Sequence, residues 1–250
     1  MRKTAFAILF TTIGAWATGT GAAELIVSAA SSLTNAFTEV GREFERANAP
    51  HKVIFNFASS GALLQQIARG APVGVFASAD QDTMDRAQER NLIVRASRGD
   101  FARNALVVVA PLDSELTLSG LEELRAERIR RIALSNPDAV PAGTYAKAAL
   151  LAAGLFDALK DKYINTQSVR QSLDYVARGE VDAGFVYATD ARIMADRIKV
   201  LFEVPTRTQV SYPIAVVKGN GDEALALRFI GFVMGPGGQA ILTAHGFRRP

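Results

Sequence analysis

The 250-residue chain has no cysteine and only two histidines, His51 and His245. Without cysteine there is no disulfide, no thiolate nucleophile and no thiolate-bound metal. That absence suits an oxidising compartment but does not require one. Neither histidine has a metal-ligating neighbour at useful spacing, so metal hydrolysis and His-based triads are poorly supported. GxGxxG, GxxxxGK[ST] and GxSxG are missing too, which leaves nucleotide binding and α/β-hydrolase chemistry without their signatures. Basic and acidic residues nearly balance, 28 against 25, and no Lys/Arg-rich block stands out. Nucleic acid is therefore a poor candidate partner. Beyond the first 23 residues no stretch reaches the roughly 18 apolar residues that a membrane span needs.

Residues 1–23 read as a removable secretory signal peptide. Arg2 and Lys3 form a basic head, an apolar stretch runs from Ala5 to Trp16, and TGTGAA supplies small residues for a cut after Ala23. No lipid can be attached at this junction, since there is no cysteine. Losing Arg2 and Lys3 brings the charges still closer to balance.

What the chain does have is a repeated arrangement of strand, hydroxyl-rich turn and helix. LIVSAASSL (Leu25 to Leu33) starts as an apolar run, meets Ser31-Ser32 and passes into helical spacing. VIFNFASSG (Val53 to Gly61) has the same form, and RIALSNPDAVPAGTYA (Arg131 to Ala146) is a longer version. A buried strand that ends in such a turn at a helix start is a natural place for an anion, because the first N–H groups of the helix have no partner of their own. Three of them, with no catalytic residue type between, suggest a ligand held by hydroxyls and backbone N–H groups.

The periodicity fits an α/β chain. Leu33, Ala36, Phe37, Val40, Phe44 and Ala47 lie on one helical face; Val53 to Phe57 and Val73 to Ala77 read as strands. The first part is βαβαβα, which implies parallel strands. Phe101 to Ala110 reads as one long strand, able to cross between two lobes. The second part, with strands at Ile132 to Leu134, Val181 to Tyr187 and Ile198 to Val204, repeats the rhythm, and Val210 to Val217 is a strand that can return to the first lobe. Two such lobes facing each other would form a cleft.

Several residues stand out as donors. Ser31 and Ser32, and Ser59 and Ser60, sit at helix starts, where one serine of each pair also serves as an ordinary cap. Ala142, after a Pro in VPAGTYAK, has only its backbone N–H to offer, and Val169 opens a helix in the same way. Tyr187 ends an apolar strand with a hydroxyl that needs a partner if buried. Asp80 and Asp190 read as helix caps outside the first layer, because an acid would disfavour a bound anion.

LIVSAASSLTNAF, FASSGALLQQIARGAP, NPDAVPAGTYAKAAL, VYATDA and YPIAVVKG together resemble the periplasmic molybdate-binding proteins, the receptors of ABC-type molybdate importers. The resemblance runs from Leu25 to Phe247. It implies a two-lobe type II periplasmic binding protein fold, each lobe a mixed, mostly parallel sheet flanked by helices. Lobe I would be residues 24–102 plus 211–250, and lobe II residues 103–210. It implies an oxyanion, molybdate or tungstate, held without cofactor and without a protein ligand to a metal cation. The implied donors are Ser32 and Ser60, through hydroxyl and backbone N–H, Ala142 and Val169, through backbone N–H, and the hydroxyl of Tyr187. It further implies a monomer in the periplasm of a Gram-negative bacterium, not inserted in the membrane, that delivers its ligand to a membrane permease. Two positions depart from the family pattern: Gly74 replaces a common Asp, and Gly61 a common Ser.

Two other readings remain at this level. The same architecture could serve sulfate or a small organic anion, the latter favoured by an arginine aimed into the cleft, with Arg103 and Arg170 as candidates. An enzyme with Ser32 or Ser60 as nucleophile would need a distant base such as Lys147.

Overall fold

The computed structural model describes residues 22–250; the leader expected over residues 1–23 lies outside them except for its last two residues. In chain order the first part runs β1 (Glu24–Ala30), α1 (Thr34–Ala47), β2 (Lys52–Ala58), α2 (Ser60–Ala68), β3 (Val75–Ala77), α3 (Gln81–Glu89) and β4 (Gly99–Asn104). It continues with β5 (Leu106–Pro111), β6 (Ile132–Ser135), α4 (Pro141–Ala152), β7 (Tyr163–Thr166), α5 (Val169–Ala177), β8 (Ala183–Tyr187), α6 (Ala188–Ile193) and β9 (Ile198–Glu203). It closes with β10 (Val210–Val216), α7 (Glu223–Met234) and α8 (Pro236–Ala244).

The strands form two five-stranded sheets, ordered β2-β1-β3-β10-β4 and β7-β6-β8-β5-β9. In the first, β1 pairs in parallel with β2 and β3, and β10 runs antiparallel between β3 and β4. In the second, β6 pairs in parallel with β7 and β8, and β5 runs antiparallel between β8 and β9. One strand in each sheet thus opposes the other four.

The single strand expected over Phe101 to Ala110 is two strands in different sheets. The break is at Ala105, whose N–H donates to the Asn104 side-chain oxygen at 2.9 Å instead of joining a ladder. On one side the chain pairs with β10, on the other with β8 and β9. The strand expected from Val73 begins only at Val75: Gly74 donates its N–H to Ile26 O and accepts from Val217 N, both at 2.9 Å, ahead of the regular ladder. Helix α4 starts at Pro141, earlier than its apolar spacing indicates, because proline needs no N–H partner in a first turn.

The helices cover the sheets with the faces that the periodicity marks. On α1 these are Ala36, Phe37, Val40 and Phe44, all buried. Phe37 meets Phe101 of β4 and Phe229 of α7 at ring-centroid distances of 5.5 and 6.1 Å. A second apolar cluster, including Leu63, Leu64, Phe76 and Met84, lies where α2 and α3 cover the first sheet. Ser168 caps α5 by accepting from Gln171 N at 3.2 Å, and Asp222 caps α7 by accepting from Leu225 N at 3.0 Å.

Candidate anion site

Parallel strands bring helix starts to one side of each sheet. β1 leads through a 3-10 turn, Ser31–Leu33, into α1, and β2 leads into α2. In the second sheet β6, β7 and β8 lead into α4, α5 and α6. The first N–H groups of each helix lack intrahelical acceptors, so these ends carry positive potential and free donors.

Ser32 lies in the 3-10 turn and Ser60 is the first residue of α2, and both are buried. The Ser60 hydroxyl accepts from Ala79 N–H at 3.0 Å. A backbone N–H can only donate, so the Ser60 proton is left for another acceptor. Ala142 is the second residue of α4 and Val169 the first of α5; both side chains are buried. Gly143, next to Ala142, is required by packing, since a Cβ there would lie 1.9 Å from Ser135 O. Tyr187 ends β8 at the start of α6. Its hydroxyl is buried and has no hydrogen-bond partner among the described residues. Burial pushes the Tyr187 phenol well above its usual value, and the neighbouring Tyr212, Tyr145, Asp80 and Asp190 add to the shift. The group therefore stays protonated and remains a donor.

Contacts join these segments across the two sheets. Gly61 N–H, in the first turn of α2, donates to Ala139 O just ahead of α4 at 3.0 Å. A Cβ on Gly61 would come within 2.6 Å of that oxygen and 2.9 Å of the Ala139 Cα, so glycine permits the close approach. The Ser32 hydroxyl shares a hydrogen bond with the Tyr212 hydroxyl at 3.1 Å. Tyr212 also accepts from Asn104 Nδ2 at 3.2 Å, and its ring lies 5.9 Å from that of Tyr187. Asn104 further donates to Thr189 Oγ1 at 2.8 Å.

Sequence reasoning gave no role at the site to Tyr212 of β10, which bonds Ser32 and packs on Tyr187, or to Asn104 of β4, which bonds Tyr212. Tyr212 opens the motif YPIAVVKG, and Asn104 lies in the stretch Phe101 to Ala110 read as a crossing between lobes. Arg170 does cross between the sheets, but its nitrogens are engaged by protein groups. Nη1 donates to Asn35 Oδ1 at 2.8 Å and Nη2 to Ser32 O at 3.1 Å. Nε lies 2.6 Å from Asp190 Oδ1, an ion-pair distance without hydrogen-bond alignment. Asp190 has no solvent exposure; burial pushes its carboxyl up and the Arg170 guanidinium pulls against that shift. Arg103 belongs to β4, where its backbone exchanges hydrogen bonds with Arg248. Lys147, the base an enzyme would need, has its ammonium 5.4 Å from the centre of the Phe156 ring. His51 accepts from Ala23 N–H at 3.3 Å and His245 pairs with Glu39 at 2.8 Å. Gly74 makes room for Leu25, whose Cδ1 would be 2.7 Å from an added Cβ.

Two α/β sheets exchanged twice by the chain, with helix starts meeting at their junction, define a type II periplasmic binding protein. Residues 25–248 match the family model described as bacterial extracellular solute-binding protein, and the chain belongs to that family. It is 37% identical over 235 residues to the molybdate-binding protein ModA of Escherichia coli, covering 90% of this chain and 88% of that one. With the ModA of Haemophilus influenzae it shares 32% identity over 230 residues, 90% of each chain. The periplasmic molybdate-binding protein of Azotobacter vinelandii superposes with a TM-score of 0.81 at 26% identity, covering 90% of this chain and 99% of that one. The sulfate-binding protein SubI of Mycobacterium tuberculosis superposes at 0.80 with 14% identity, over 91% of this chain and 87% of SubI, a likeness of fold alone. These relatives are binding proteins and not enzymes, and the resemblance read from the motifs is borne out.

Proposed function

We propose that the chain captures molybdate, and tungstate alongside it, and delivers the anion to the permease of an ABC importer. The observation that carries this reading is the Tyr187 hydroxyl: buried, protonated, and without an acceptor among the described residues. Leaving a buried donor unsatisfied costs about 1–3 kcal/mol, and an anion oxygen would remove that cost. Ser60 adds a second hydroxyl whose oxygen already accepts from Ala79 N–H, leaving its proton free for an anion. The ligand set is Ser32, Ser60, Ala142, Val169 and Tyr187, two residues from the first sheet's side and three from the second's. We take the lobes that close on the anion as the expected 24–102 with 211–250 and 103–210, shifted so that β4 through Asn104 and β10 from Val210 stay in the first.

A shell made only of donors suits a fully ionised tetrahedral dianion. Phosphate keeps at least one proton near pH 7 and needs an acceptor that this shell lacks. Sulfate has the right charge but is smaller, and backbone donors set cavity size more rigidly than flexible side chains do. Tungstate is nearly the size of molybdate and should bind comparably. Arg170 does not favour an organic anion, because its charge faces Asp190. The protein acts as a monomer in the periplasm of a Gram-negative cell, after loss of residues 1–23.

Calorimetry and thermal melts on refolded, ligand-free protein test this reading. Molybdate and tungstate should bind and raise the melting temperature by mass action, at [L] = 100 Kd by about 2.7 kcal/mol of added stability. Sulfate and phosphate should do neither. Binding of phosphate, or of none of the four, would overturn it.

A further inference from the structure

We propose that Arg170 serves the anion site as a charge mask: it cancels the buried carboxylate of Asp190, which would otherwise repel the bound dianion. This rests on the anion-binding reading above and deepens it. Asp190 sits in the first turn of α6, three residues after Tyr187, and its Oδ2 accepts from Tyr187 N–H at 3.3 Å. The carboxylate that holds the Tyr187 backbone therefore lies beside the site and is fully buried. A carboxylate buried beside the site would repel a dianion there, where water cannot screen the two charges.

Arg170 answers that charge from α5. Its Nε is 2.6 Å from Asp190 Oδ1, while its two terminal nitrogens reach Ser32 O and Asn35 Oδ1 of the first sheet's side. The one guanidinium thus follows Val169 in sequence, touches the Ser32 backbone, and neutralises the acid that holds Tyr187. Three of the five proposed ligand residues are served by a pair with no net charge. An arginine without Asp190 would attract any anion, and Asp190 without an arginine would exclude a dianion. Together they leave selection to neutral donors.

A purely structural ion pair would fill the same space, so the test must separate charge from contact. Four variants serve: Arg170→Gln, Arg170→Lys, Asp190→Asn, and Arg170→Gln combined with Asp190→Asn. Molybdate affinity is measured by calorimetry, with circular dichroism to check folding. Arg170→Gln strands the Asp190 charge and should weaken molybdate binding by about 30-fold or more. The double variant strands no charge and should return to within about tenfold of the parent protein, although it has lost more contacts than the single variant. Arg170→Lys keeps the charge but loses the forked contacts to Ser32 O and Asn35 Oδ1, so it should bind molybdate more tightly than Arg170→Gln without matching the parent. Asp190→Asn should not lower affinity by more than Arg170→Gln does.

A double variant that binds no better than Arg170→Gln would overturn the mask and leave only the contacts. Should Arg170→Gln fail to fold, the double variant decides: affinity within about tenfold of the parent supports the mask, and a loss of about 30-fold or more overturns it. The parent protein in the same cells keeps the two readings apart. If it binds no molybdate, the anion reading falls and the mask with it; if it binds but charge balance does not govern the variants, only the mask falls.

Discussion

Tyr187→Phe should weaken molybdate binding by about 10- to 150-fold, the range set by one hydrogen bond to a charged acceptor worth about 1.5–3 kcal/mol. The same change should not lower the melting temperature of the ligand-free protein. Both halves follow from one geometry: the hydroxyl is buried and has no partner among the described residues. Phenylalanine fills the same space and keeps the ring contact with Tyr212 at 5.9 Å. It removes only a donor that no described residue accepts from. A tyrosine retained for packing would behave in the opposite way, with affinity unchanged. Calorimetry on the variant, with a melt in the absence of anion, separates the two.

The second large effect is at Gly143. A Cβ at this position would stand 1.9 Å from Ser135 O and 2.7 Å from Ser135 C. Both are backbone atoms at the end of β6, so no side-chain rotation relieves the overlap. In Gly143→Ala the first turn of α4 has to move off the strand, taking the Ala142 N–H with it. Overpacking of this kind destabilises by about 1–3 kcal/mol, which for a domain of this size lowers the melting temperature by about 2–4 °C per kcal/mol. Affinity should fall by at least about tenfold, because a displaced donor loses most of a charge-assisted hydrogen bond. Melts with and without molybdate read both quantities. Full affinity in a destabilised Gly143→Ala protein would remove Ala142 from the ligand set.

Local pattern carried much of this. The apolar face of α1, the serines after β1 and β2, and the Pro-Gly start of α4 are all visible within a few residues of sequence. What stayed hidden depends on partners far along the chain. Ala105 breaks the expected long strand because its flanks pair with β10 on one side and with β8 and β9 on the other, and no local apolar count encodes a change of sheet. Tyr212 and Asn104 matter through a chain of hydroxyl and amide contacts that spans 180 residues between Ser32 and Tyr212. Arg170 read as a possible anchor for an organic acid, since a lone cation beside a cleft attracts anions. Its true setting is decided by Asp190, an acid that reads in sequence only as a helix cap. Gly61 read as a lost hydroxyl; in the fold it is the point where α2 meets the backbone at Ala139.

Crystals grown with molybdate, measured at the molybdenum absorption edge, test the donor cleft most directly. The account predicts one anomalous peak at the junction of the sheets. Its oxygens should lie about 2.5–3.2 Å from the Ser32, Ser60 and Tyr187 hydroxyls and from the N–H groups of Ala142 and Val169. A peak held directly by the Arg170 guanidinium, or one away from these five residues, would contradict it.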